Sequence, residues 1–111
     1  MADAAMLRRP ALALPGASEA PHFDRTAFRV RTIFATLAPD GRTASLNLSP
    51  EEQAFRCTVA PEAFAPTPDA WGRRGWTRAT LAALDEAELA SALEDSWRRA
   101  SAKPRPRRRT T

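Results

Sequence analysis

At 111 residues with a net charge of +4, the chain is large enough for one small domain with its own core and needs neither metal nor disulfide to fold. A single cysteine, Cys57, excludes an internal disulfide and a cysteine-built zinc site, and the lone His22 removes the usual partners of metal or nucleophilic chemistry. The basic excess lies at one end: residues 103–111 carry Lys103, Arg105, Arg107, Arg108 and Arg109 without an acid, whereas residues 1–102 hold 12 basic and 13 acidic groups, a net of −1.

That division predicts a single domain over 1–102 and a disordered basic arm over 103–111, where Pro104 and Pro106 forbid a regular helix and no apolar residue offers anything to bury. Such an arm adds nonspecific affinity for phosphate polymers whatever the domain does. No apolar run approaches the roughly 18 residues of a membrane span, and Arg8, Arg9 and Pro10 interrupt the only signal-like start. A soluble cytoplasmic protein without a membrane partner is the expectation. Sixteen of the seventeen basic residues are arginine, in a background rich in alanine and proline, so the skew reads first as coding bias.

Met6, Leu7, Ala11 and Leu14 fall at helical spacing and Pro15-Gly16 stops them, which predicts a helix over Ala4–Leu14, kinked or restarted at Pro10. Ser18 to Asp24 has no helical stripe and reads as a short edge strand or extended loop. From Ala27 the period becomes two. Phe28 and Val30 alternate with Arg29 and Arg31, then Ile33, Ala35 and Leu37 with Phe34 and Thr36, then Leu46 and Leu48 with Ser45 and Asn47. Pro39-Asp40-Gly41 supplies a turn, and the sum is an antiparallel meander with one face on a core. Arg29 and Arg31 then project together from the other face, where solvation explains them about twice as readily as a ligand.

Ser49-Pro50-Glu51-Glu52 is a capping box with proline at the first helical position, so a helix follows, with Phe55, Val59 and Cys57 as its apolar contacts and Pro61 as its end. Phe64 to Pro68 is extended. In Trp71-Gly72-Arg73-Arg74-Gly75-Trp76-Thr77, two arginines sit between two glycines and the whole is bracketed by tryptophans, which reads as a tight turn between strands: either a rigid corner or an anion-reading loop. After it Trp76, Arg78 and Thr80 alternate with Thr77, Ala79 and Leu81. Asp85 and Glu88 form a second capping box opening a helix to about Ala100, with Leu89, Leu93 and Trp97 on its buried stripe. The expected architecture is a two-layer α+β domain, an antiparallel sheet with N-terminal, middle and C-terminal helices packed on one face.

Leu12-Ala13-Leu14-Pro15-Gly16, Glu19 to Phe23, Ala27-Phe28-Arg29-Val30, Ile33-Phe34-Ala35, Leu46 to Glu52, the Trp71 to Thr77 block and Ser96-Trp97-Arg98 keep an order and spacing that resembles the MmcQ/YjbR family of small bacterial proteins, over about residues 7 to 100. The resemblance implies a CyaY-like α/β fold and DNA binding through a double-wing motif. The chain departs from that family in having Val30-Arg31-Thr32 where relatives place a glycine in the first hairpin, and Pro10 in the first helix.

The resemblance implies double-stranded DNA as partner through two β-hairpin wings; on this chain Arg73 and Arg74 would contact phosphates, Arg29 and Arg31 would extend the patch and Trp71 would pack on a sugar or unstacked base, while the charges of Lys103, Arg105, Arg107, Arg108 and Arg109 would add nonspecific affinity. With all five tail charges and both loop arginines engaged, the salt slope would be about −6. The alternative is a protein-interaction or adaptor module with Trp71 as anchor; a small anion at the Gly72 to Gly75 loop is a third reading. An enzyme ranks last, because His22 beside Asp24 lacks a nucleophile or metal partner, and no cofactor is implied.

Overall fold

The computed structural model describes residues 2–102; the basic arm expected over 103–111 lies outside the described residues. The elements follow in the order α1 (Ala4–Ala13), β1 (Ser18–His22), β2 (Arg25–Arg29), β3 (Ile33–Leu37), β4 (Thr43–Asn47), α2 (Pro50–Val59), β5 (Phe64–Pro66), α3 (Ala70–Arg73), β6 (Trp76–Thr80), a single 3₁₀ turn at Leu81–Ala83, and α4 (Glu86–Ser101). All six strands join one antiparallel sheet in the order β1-β2-β3-β4-β6-β5. This is the two-layer α+β architecture expected from the sequence.

Local hydrogen bonds explain where the helices begin. Ser49 Oγ accepts from the Glu52 amide while Glu52 Oε1 accepts from the Ser49 amide, and Asp85 and Glu88 repeat the exchange at α4. Asp3 caps α1 by accepting from the Met6 amide at 2.9 Å. Pro10 neither divides nor restarts α1, which runs unbroken to Ala13. Only the bond to the Met6 carbonyl is forfeited, and Leu7 and Ala11, both fully buried, hold the helix on the core from either side of the proline.

The core gathers Leu7 and Ala11 of α1, Phe28, Phe34, Ala35, Ala44 and Leu46 of the sheet, and Leu89, Ala92 and Leu93 of α4. Strict alternation over Ile33–Leu37 does not hold. The β2–β3 register shifts between Phe28 and Arg29, so that Phe28 pairs with Ala35 while Arg29 pairs with Ile33. The extra residue on β3 lets Phe34 and Ala35 both enter the core and turns Ile33 to the other face.

The middle helix departs furthest from expectation. No residue of α2 is buried, and Phe55 and Val59 are 63% and 60% exposed. Of the three expected apolar contacts only Cys57 packs on the core, and polar contacts otherwise seat the helix: Arg56 pairs with Asp95 of α4 at 2.7 Å and bonds Ser91 at 3.1 Å, and its guanidinium lies 5.7 Å from the Phe64 ring centroid. Gln53 Nε2 donates at 2.9 Å to both the Gly72 and the Trp76 carbonyl oxygens. Phe55→Ala is therefore expected to change unfolding free energy by no more than about 0.5 kcal/mol, against the ~3–5 kcal/mol of a core phenylalanine, in urea titrations.

Candidate functional site

With α1 and α4 on one face of the sheet, the opposite face is left open, and it is concave. A cavity of about 980 Å³ lies there, lined by all four central strands and by the loops at two of its rims. Its floor follows from register. Ala27, Thr36, Ser45 and Arg78 are successive partners across β2, β3, β4 and β6, so they form one row across the sheet. Arg25, two residues before Ala27, shares that face. Its Nε donates to Thr36 Oγ1 at 2.9 Å and its Nη2 to Ser45 Oγ at 3.4 Å, which lays the half-buried guanidinium across β3 toward Arg78. Those bonds use two of the five donors of a guanidinium and leave three for a ligand or water.

Arg29, exposed at the end of β2, lines the same cavity with Thr43, Asn47 and Thr67. Asp69 is the single carboxylate in the lining, and it is occupied as the α3 cap, accepting from the Trp71 amide at 3.0 Å. Among the described residues the ion pairs are Arg8–Glu19, Arg56–Asp95 and Arg98 with Glu94 and Asp95, so Arg25, Arg29 and Arg78 face the cavity without a carboxylate partner. A body of net charge −1 thus segregates its charges, with acids capping and bridging the helices and a cationic patch on the open face.

Aromatic side chains bound the cavity at opposite rims. Trp76, paired with Asn47, and Trp71 meet edge to face at one rim with centroids 6.3 Å apart. Trp76 is half-buried in the cavity wall. His22 and Phe23 stand at the tip of the β1–β2 hairpin, their rings edge to face at 4.8 Å. Phe23 is 94% exposed and has φ +59°, so the hairpin tip combines an apolar side chain in water with a backbone conformation that costs an L-residue about 1 kcal/mol or more.

The Trp71–Thr77 motif is not a tight hairpin turn. Residues 67–75 span from β5 to β6 through the one-turn helix α3, and its glycines are points of close backbone approach. A Cβ on Gly72 would stand 2.0 Å from the Thr67 carbonyl oxygen, and one on Gly75 1.9 Å from that of Leu48. Of the two readings of this motif, the glycines belong to the rigid corner. Arg73 and Arg74 are exposed outside the cavity lining, with the Arg74 guanidinium 5.1 Å over the Trp71 ring. Arg31 sits exposed in the β2–β3 turn, also outside it. Of the residues singled out in the sequence, Arg29 and Trp71 line the cavity; Arg25, Arg78, Trp76 and Phe23 were not singled out as ligand contacts, although the alternation over 76–80 already placed Arg78 beside Trp76. Cys57 is half-buried on the core, and burial pushes its thiol up from the ordinary value, away from the reactive thiolate. No described helix is long and apolar enough to cross a membrane.

No curated protein sequence matches the chain at a significant level. Its fold is similar to the crystal structure of Deinococcus radiodurans protein DR2400, a DUF419 domain, with a TM-score of 0.74 at 22% identity over 87% of this chain and 77% of that one. At that identity the likeness speaks for the fold. The family model for YjbR matches residues 12–99, from the end of α1 through the sheet to the last turns of α4. Because that match takes in every strand and both walls of the cavity, the chain belongs to the YjbR family.

Proposed function

We propose that this protein is a non-enzymatic DNA-binding protein of the cytoplasm whose contact surface is the open face of the sheet. One observation carries the reading: Arg25, Arg29 and Arg78 converge on a concave face with exposed aromatic rings at its rims, and the only carboxylate there is already occupied as a helix cap. Guanidinium groups without carboxylate partners fit phosphates, and the aromatic rims fit the sugar and base. The β1–β2 hairpin tip and the 67–75 loop flank this face, whereas the first wing expected at Val30-Arg31-Thr32 lies in the β2–β3 turn, with Arg31 outside the cavity lining. Arg73 and Arg74 act from outside the cavity, Arg74 by holding the Trp71 ring.

The test separates this face from the basic arm. Fluorescence anisotropy is read on mixed-sequence DNA, both as a duplex and as one of its separated strands, between 50 and 200 mM salt, for the full chain and for a full-length form carrying Lys103→Gln, Arg105→Gln, Arg107→Gln, Arg108→Gln and Arg109→Gln; the sheet face is judged on whichever form binds. Neutralising the arm is expected to reduce the salt slope by about 4, leaving a slope of about −2 to −3 from the three strand arginines. Binding that disappears with the arm charges removes the sheet face from the account.

The exposed pair Phe55 and Val59, one helical turn apart on α2, favours a second reading as a protein-interaction module. That patch lies on the helical layer, so the two readings use different surfaces.

A further inference from the structure

We infer that the strand received by this face is unpaired: the cavity takes one or two unstacked nucleotides of a single-stranded nucleic acid, not the outside of a B-form duplex. The inference rests on the nucleic-acid reading above and deepens it.

Shape supplies the first reason. A duplex is convex, and side chains that read it must project into a major groove about 12 Å wide and 8.5 Å deep. Here the guanidinium that two hydroxyls already hold in place is recessed. Arg25 lies against Thr36 and Ser45, on a floor where Thr36 is only 8% exposed. From β2 to β6 is three strand spacings, about 14 Å, with the rims rising beyond it. A duplex must meet this concave face as a rigid convex body, whereas a single backbone can follow the floor down to Arg25.

The rims supply the second. Base faces are hidden in a duplex and available in a single strand, and aromatic side chains hold single strands by stacking on them. Trp71 is 54% exposed beside Trp76 at one rim, and Phe23 is 94% exposed at the other. Phe23 is the more telling. Neither packing nor backbone preference explains a phenylalanine at φ +59° in solvent, where glycine would sit without strain. A ligand with an apolar face gives that side chain a function.

The floor supplies the third. Thr36, Thr43, Ser45, Asn47 and Thr67 offer uncharged donors and acceptors between the arginines. Thr36 and Ser45 already hold Arg25, Asn47 the Ile33 carbonyl and Thr67 the Trp76 carbonyl, and their remaining capacity with the Thr43 hydroxyl suits the exposed edges of an unpaired base.

The experiment uses the full-length chain with the five arm charges neutralised as above, titrated at 150 mM salt against a fluorescein-labelled dT 12-mer and a 12-base-pair duplex. The expected result is affinity for the single strand at least tenfold tighter than for the duplex. Trp71→Ala is expected to weaken single-strand binding roughly tenfold, in line with the loss of one stacking partner. Phe23→Gly is expected to do the same while leaving Tm unchanged or raised, a combination that a structural role for Phe23 does not produce. Equal or tighter binding of the duplex overturns the single-strand inference and leaves the DNA-binding reading standing. Absence of binding to either probe overturns both. Single-strand binding that survives Trp71→Ala and Phe23→Gly undiminished places the strand elsewhere and overturns the assignment of this cavity.

Discussion

Gly75→Ala is expected to lower the unfolding free energy by about 3–5 kcal/mol and Tm by roughly 15 °C or more. Two independent penalties combine. The backbone at Gly75 has φ +112°, a region essentially closed to residues with a side chain. The added Cβ would also fall 1.9 Å from the Leu48 carbonyl oxygen, with the Leu48 and Ser49 carbonyl carbons at 2.9 and 3.0 Å. Relief requires the 67–75 loop to lift from the β4–α2 junction. Lifting it breaks the Gln53 bonds to the Gly72 and Trp76 carbonyl oxygens, which tie α2 to this loop. Urea titration of Gly75→Ala beside wild type measures the loss; a change under about 1 kcal/mol would mean that the loop is not packed against the β4–α2 junction as described. Gly72→Ala, with its Cβ 2.0 Å from the Thr67 carbonyl oxygen and no positive φ, isolates the steric part alone.

How much of this was legible in the sequence depends on the range of the interaction. Both capping boxes could be read from four consecutive residues because their bonds close within four residues. The Pro39-Asp40-Gly41 turn was legible for the same reason, with Asp40 accepting from the Arg42 amide. The bulge was not: one extra residue in β3 leaves no mark in composition, yet it exchanges the faces of Phe34 and Ile33. The apolar spacing of Phe55 and Val59 is that of a buried helix face, and only the sheet decides that α2 turns this stripe outward and is held by Arg56 and Gln53. The candidate site depends on range most of all. Arg25 and Arg78 are 53 positions apart and line one cavity because β6 inserts beside β4 in the strand order, a pairing that no local pattern announces. Arg73 and Arg74 drew attention by adjacency, which says nothing of which face a side chain joins.

Replacing Arg25 and Arg78 together by glutamine, in the chain with a neutralised arm, is expected to weaken DNA binding by about 2–4 kcal/mol, or roughly 30- to 1,000-fold, and to reduce the salt slope by about 1.4 on a single strand. Arg73→Gln with Arg74→Gln in the same chain is expected to cost about fivefold or less, because these groups lie outside the cavity and contribute exposed charge and the orientation of Trp71. The order of the two effects is the point. If phosphates bind at the protruding loop, as a wing reading requires, the loop pair dominates and the strand pair is nearly silent. If they bind within the sheet face, the strand pair dominates. Folding does not confuse the comparison: Arg78 is exposed, and removing Arg25 leaves only the Thr36 and Ser45 hydroxyls to find water, at a cost of about 1 kcal/mol visible in a urea midpoint. Separate single substitutions add a finer test. Arg25, held by its hydroxyl partners before any ligand arrives, loses less conformational freedom on binding than Arg78, so Arg25→Gln is expected to be the more damaging of the two. Equal effects would mean that the Thr36 and Ser45 bonds do not orient the guanidinium for its ligand.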